Sequence, residues 1–130
     1  MQATEIETPA FVVDLDKLEA NLQILKDVKQ RADCKIVLAL KAFALWHTFP
    51  LIGQYLDGCC ASGLNEALLS HEEMGKHTLS YSPAYKLEEV EQLLRISSHL
   101  DFNSAGQWQQ FKDLATQHER FLSGGVKLGM

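Results

Sequence analysis

The chain has 130 residues, enough for one domain with a modest core. Its apolar fraction of 46% is ordinary for a soluble globular protein, and no apolar run is long enough to cross a bilayer. The formal net charge of -5 argues against a nucleic-acid partner held through phosphate contacts. Met1 to Pro9 is polar and acidic, unlike a secretory signal. The three cysteines, Cys34, Cys59 and Cys60, do not make a disulfide framework, so a reducing, cytoplasmic setting is expected.

Taken in order, Phe11 to Asp14 reads as a short strand after Thr8-Pro9. Asp14 or Asp16 then caps a helix whose apolar stripe is Leu18, Leu22, Leu25 and Val28, fading near Arg31 to Asp33. Ile36 to Leu40 is an unbroken apolar run, as in a strand buried on both faces of a parallel sheet. Phe49 to Leu56 looks helical, with Pro50 in its first turn. Asp57-Gly58 marks a turn, Cys59 to Ala61 a short strand, and Leu64 to Met74 a helix stopped by Gly75. Thr78 to Tyr81 is a strand ended by Ser82-Pro83. Leu87, Val90, Leu93 and Leu94 form a helical stripe, and His99 to Phe102 is a strand. Ser104 caps a helix carrying Trp108, Phe111 and Leu114. Gly124-Gly125 reads as a break before a further strand from Val126 to Met130.

Strands thus begin at intervals of roughly 20 to 25 residues, each followed by a helix. This βα rhythm implies a parallel sheet with right-handed crossovers. Five such units cannot close an eight-stranded barrel, so the chain is either a small open sheet or part of a longer protein.

Parallel α/β folds place their sites at strand C-termini, and Lys41 stands at such an end. A desolvated lysine tends towards the neutral amine that Schiff-base chemistry requires. A lysine that simply snorkels to water is the alternative. Ser62 with Glu66, Tyr81-Ser82-Pro83 and Asn103-Ser104 fall at the same edge, though each also suits a cap or a turn. Trp46 fits either the mouth of a site or the core. Cys59 and Cys60 are adjacent in a strand, so at most one faces the side of Lys41. The five histidines are scattered without metal-ligand spacing, and no metal site is expected. No Gly-rich phosphate loop of either common type is present.

Several of these segments together resemble one family. They are Thr8-Pro9-Ala10-Phe11-Val12-Val13-Asp14, Leu38-Ala39-Leu40-Lys41-Ala42-Phe43-Ala44, Ala61-Ser62 with Glu66, Tyr81-Ser82-Pro83-Ala84-Tyr85-Lys86, and Phe102-Asn103-Ser104. The resemblance is to the carboxynorspermidine decarboxylases, in the alanine racemase-like (fold type III) group of pyridoxal phosphate enzymes. It implies a partial (β/α) TIM-type barrel, with residues 1–130 as the N-terminal part of a cofactor-binding barrel domain and a C-terminal β-domain absent. It also implies that Lys41 carries pyridoxal 5'-phosphate and that the full-length protein is a homodimer acting on a polyamine precursor. Cys60, Glu66, Tyr81, Ser82 and Asn103 are the further candidates for lining the site. Gly63 departs from the serine expected there. The chain stops where the family continues with Arg-Ile-Asn-Pro, ahead of its phosphate-binding glycines. On this reading the fragment alone is inactive and its exposed edge strand invites aggregation. A racemase or cofactor carrier of the same fold group, and a non-catalytic interaction module, are the alternative readings.

Overall fold

The structure, a computed structural model, describes residues 6–118 and 124–126. A five-stranded parallel sheet runs in the order β1-β2-β3-β4-β5, with every neighbouring pair also consecutive in the chain. The strands are β1 (Leu38–Ala39), β2 (Gly58–Ala61), β3 (His77–Ser82), β4 (His99–Phe102) and β5 (Gly124–Val126). The order never reverses, which a doubly wound sheet requires and a barrel forbids. Crossovers of one hand then lay every helix on one face. The fold is therefore the partial (β/α) barrel implied by the sequence.

Side chains alternate along each strand, so the sheet has an outer, helix-covered face and an inner one. Cys59, Ala61, Leu100 and Phe102 point outward into two apolar clusters. Leu22 of α1 (Leu15–Ala32) packs with Leu40, Cys59 and with Phe49 and Ile52 of α2 (Phe49–Ile52). Ala67 of α3 (Leu64–Leu69), Val90, Leu93 and Leu94 of α4 (Leu87–Ile96), and Phe111 and Ala115 of α5 (Ala105–Gln117) cover the remainder. The outer face of β3 is different. Thr78 and Ser80 are buried there, and their hydroxyls pair with Ser70 at 2.7 Å and Ser97 at 2.8 Å.

Local signals explain most boundaries. Asp14 caps α1 by accepting the Lys17 N–H at 3.1 Å, and Ser104 caps α5 through the Gln107 N–H at 3.1 Å. Gly75, at φ 64°, ends the helix begun by α3, whose last turn, Ser70–Met74, is π-wound. Asp33 closes α1 in the left-handed conformation.

Five expectations are corrected. Phe11 to Asp14 is not a strand: among the described residues no strand lies beside it to supply a ladder, and Phe11 is fully exposed. The run Ile36 to Leu40 is regular only at Leu38–Ala39 and is not buried on both faces. It is an edge strand in the described residues, with helices on one side only, so Leu40 is buried and Ala39 exposed. The α-helix from Phe49 ends at Ile52, after which single turns carry the chain to Leu56. Gly63, not Ser62, is the N-cap of α3. Gly124 and Gly125 are strand, not break, because they pair with Leu100 and Asp101. The strand expected from Val126 to Met130 lies, beyond its first residue, outside the described residues. Leu25 and Val28 of the α1 stripe are exposed in this structure, as is Leu87 of α4.

Candidate functional site at the strand ends

The register across the sheet brings the C-terminal strand ends to one rim. Cys60 pairs with Leu79, Tyr81 with Asp101, and Asp101 with Gly125. By alternation Cys60, Tyr81 and Asp101 share the inner face. With Gly125 and Val126 they line a groove of about 410 Å³. Tyr81 donates its hydroxyl to Asn103 Oδ1 at 2.8 Å, which ties the end of β3 to the loop after β4. Asn103 is further fixed by its N–H, donated to Gln107 Oε1 at 2.6 Å.

Lys41 lies in the turn that closes β1, where the Ala42 and Phe43 N–H groups both return to Ala39 O. The preceding residue, Leu40, donates its N–H to Cys60 O at 3.1 Å, so the lysine follows directly on the β2 rim. Its side chain is exposed, and the described residues do not surround it with apolar groups. Trp46 is 44% exposed and stacks on His47, so it is not core.

Glu66 and Ser82 fall elsewhere. Both line a separate cleft of about 550 Å³ between the starts of α3 and α4. Glu66 accepts the Ser62 N–H at 2.7 Å, and Ser82 donates to Ala84 O at 2.8 Å. These bonds are those of a helix start and of a turn. The structure thus groups Cys60, Tyr81 and Asn103 and sets Glu66 and Ser82 in the neighbouring cleft.

Two groups near the rim escaped the sequence reading, Asp101 on the inner face and Tyr85, which packs against Phe102 on the outer one. Asp101 Oδ1 lies 2.8 Å from His99 Nε2. The signal was available: residues two apart in a strand share a face. Tyr85 was quoted only as part of a motif. Its hydroxyl donates to Asp101 O at 2.9 Å beneath the rim. Burial pushes the Tyr85 phenol far above its usual range, partly offset by a backbone bond at Ser82 and reinforced by the Asp101 carboxylate. Burial also raises the Cys60 thiol, helped by the charges of Asp101 and Glu66. Among the described residues no cluster of three or more His, Cys, Asp or Glu side chains could hold a metal ion. No described helix is long and apolar enough to cross a membrane.

An open parallel layer with its helices on one side and its polar groups at the strand C-termini is the first part of a barrel-type enzyme scaffold. The relatives give this class a name. No family model matches the chain. It is 36% identical over 126 residues to the carboxynorspermidine/carboxyspermidine decarboxylase of Campylobacter jejuni, covering 97% of this chain and 33% of that protein. It is 38% identical over 110 residues to the enzyme of the same name from Herminiimonas arsenicoxydans, covering 85% of this chain and 30% of the other. It is 37% identical over 110 residues to carboxyaminopropylagmatine decarboxylase of Synechocystis, covering 85% and 28%. The crystal structure of the Campylobacter jejuni carboxynorspermidine decarboxylase complexed with norspermidine superposes with a TM-score of 0.87 at 38% identity, over 92% of this chain and 32% of that one. The chain is a homologue of these decarboxylases and spans about a third of their length.

Proposed function

We propose that this chain is the N-terminal part of a pyridoxal phosphate-binding barrel domain, and that the whole protein decarboxylates carboxynorspermidine or carboxyspermidine to the polyamine. The observation that carries the reading is Lys41, a primary amine open to solvent at the C-terminal end of β1, within a fold shared at TM-score 0.87 with such a decarboxylase.

The residues present fit the aldehyde end of the cofactor. An exposed amine can condense with a carbonyl, and Lys41 is the residue that would hold it. When bound, pyridoxal phosphate supplies the electron sink for the carbanion left as carbon dioxide departs. The chain's own residues orient and enclose. Tyr81 and Asn103 fix each other at the rim, and Cys60 presents a thiol kept protonated by burial on the wall of the groove. Glu66 and Ser82 hold the two loops that shape the adjacent cleft. In the full-length protein we expect a homodimer. The cytoplasm suits its free cysteines.

One relative favours a second substrate. The Synechocystis protein acts, by its name, on carboxyaminopropylagmatine, and its identity to this chain is as high as that of the other two. Both readings share Lys41 and decarboxylation.

The test adds pyridoxal phosphate to the chain and then reduces with borohydride. The expected result is a new absorption band and a mass increment on the Lys41 peptide, both abolished by Lys41→Ala. Attachment spread over the other lysines would refute the assignment. Measurable decarboxylation by this chain alone would contradict the view that it needs the remainder of the barrel.

A further inference from the structure

A second groove lies at the N-terminal ends of the strands, the opposite end from Lys41. It has a volume of about 510 Å³, and its walls include Asp57 ahead of β2, His71 and Gly75 around the π-wound turn, Lys76 and His77 at the start of β3, and Ile96 at the end of α4. The functional reading above uses none of them.

The charge here runs against that of the chain, which is -5 overall. Asp57 is the one carboxylate on the groove wall, and both its oxygens are in use: Lys29 Nζ holds Oδ1 at 3.0 Å and the Ile36 N–H reaches Oδ2 at 2.9 Å. Glu72 and Glu73 share the turn with His71 but do not line the groove. Two further lysines have no carboxylate partner among the described residues. Lys76 Nζ donates to Leu56 O at 3.1 Å, and Lys35 Nζ lies 3.4 Å from Nε2 of His77. An ammonium carries three donors, and each of these two has spent one. The His71 imidazole has no partner among the described residues.

A structural role accounts for Lys29, which is held by Asp57 and by Tyr55 O at 3.0 Å. It does not account for Lys35, whose one hydrogen-bond contact is another base. Carbonyls at helix ends oppose an anion, but several at this end are already taken. The Gly75 N–H occupies Ser70 O at 3.1 Å, the Ser97 N–H occupies Leu93 O at 2.8 Å, and Lys76 occupies Leu56 O. Gly75 also leaves the approach open, since a Cβ there would meet nothing within 4 Å.

We propose that this groove binds a small phosphoryl anion, either free phosphate or a phosphate monoester, held by Lys76, His71 and His77 on its walls and by Lys35 at its edge. Three lysines around one carboxylate leave a surplus of two positive charges with the imidazoles neutral. A phosphoryl group at neutral pH carries about -1.5 to -2 and offers three acceptor oxygens, which matches that surplus and the unspent donors. Ile96 gives the body of an ester an apolar surface. The site is independent of the cofactor reading, because it shares no residue with the strand C-termini.

The test titrates inorganic phosphate, and separately adenosine monophosphate, into the isotope-labelled 130-residue chain at constant ionic strength, followed by backbone amide NMR. Saturable shifts centred on His71, Lys76 and His77 are expected. Lys76→Gln and Lys35→Gln should each raise the dissociation constant about tenfold, while Lys17→Gln at the far end of α1 leaves it unchanged. Tighter binding of the monoester supports an ester lying on Ile96, and equal binding supports free phosphate. Shifts that sodium chloride reproduces, shifts centred elsewhere, or equal affinity in both groove variants would overturn the proposal. The wild-type mapping decides the question even if a variant fails to fold.

Discussion

Lys29 Nζ sits 3.0 Å from Asp57 Oδ1, while the other oxygen of Asp57 accepts the Ile36 N–H at 2.9 Å. One carboxylate therefore joins the last turn of α1, the approach to β1 and the start of β2, on the side of the sheet away from the candidate site. Lys76 adds a bond to Leu56 O at 3.1 Å. Burial opposes the charge on Asp57, but the Ile36 N–H, Lys29 and Lys76 outweigh it and hold the carboxyl below its usual 3.8. A lowered folded-state pKa stabilises above the unfolded value and is lost as pH falls through the folded one. Asp57→Asn should cost about 2 kcal/mol at neutral pH. Urea unfolding should show that gap shrinking below about pH 3.8, as the wild-type carboxyl protonates. An equal gap at both pH values would refute the assignment.

Gly58 has φ 154°, and a Cβ there would stand 1.9 Å from His77 O, a backbone atom of the paired strand. A strand cannot retreat as a flexible side chain can. Gly58→Ala should cost about 3 kcal/mol or more, or prevent folding, as judged by thermal melts. Gly106, in the first turn of α5, meets nothing closer than Ser104 Oγ at 3.8 Å. Gly106→Ala should stabilise by about 0.5–1 kcal/mol through helix propensity. Opposite signs for two identical substitutions make the pair informative.

Tyr85 donates to Asp101 O at 2.9 Å and, more weakly, to Ser80 O at 3.4 Å. Tyr85→Phe should cost about 1 kcal/mol. The raised phenol has an alkaline consequence. Its contribution is complete below the ordinary value of 10.0 and is lost as pH climbs above it towards the folded-state value. Phenolate absorbance and circular dichroism recorded together should show Tyr85 ionising with unfolding, and the Phe variant should lose that component.

The three thiols should react in a set order. Cys34 is exposed, Cys60 is half-buried and raised, and Cys59 is fully buried and raised. Thiolate fraction and access both fall along that series. Timed alkylation with peptide mass spectrometry should label Cys34 first and Cys59 last. Early labelling of Cys59 would mean that the outer layer opens readily.

Much of the fold was legible because its punctuation is local. Asp14, Ser104 and Gly75 mark helix ends by chemistry that acts within a few residues. The strand misreadings have the opposite cause. Phe11 to Asp14 has a strand's composition but no neighbour to pair with among the described residues, and Gly124-Gly125 has a turn's composition but a neighbour that enlists it. Pairing is a property of two segments, and composition describes one. The rim was legible through the rule that sites gather at strand ends, which singled out Lys41, Tyr81 and Asn103. That rule also passed over Asp101, which projects from within the strand.

The hydroxyl pairs on the outer face of β3 act as an address. Were α4 to settle over a different strand, Ser80 and Ser97 would each enter a dry, hydrocarbon setting without a mate, at about 1–3 kcal/mol per orphan. Ser70 and Thr78 exert the same veto on the π-wound turn. Hydrocarbon packing alone would accept several stackings of similar volume. These four oxygens accept one, and so they dictate which helix roofs the middle of the sheet.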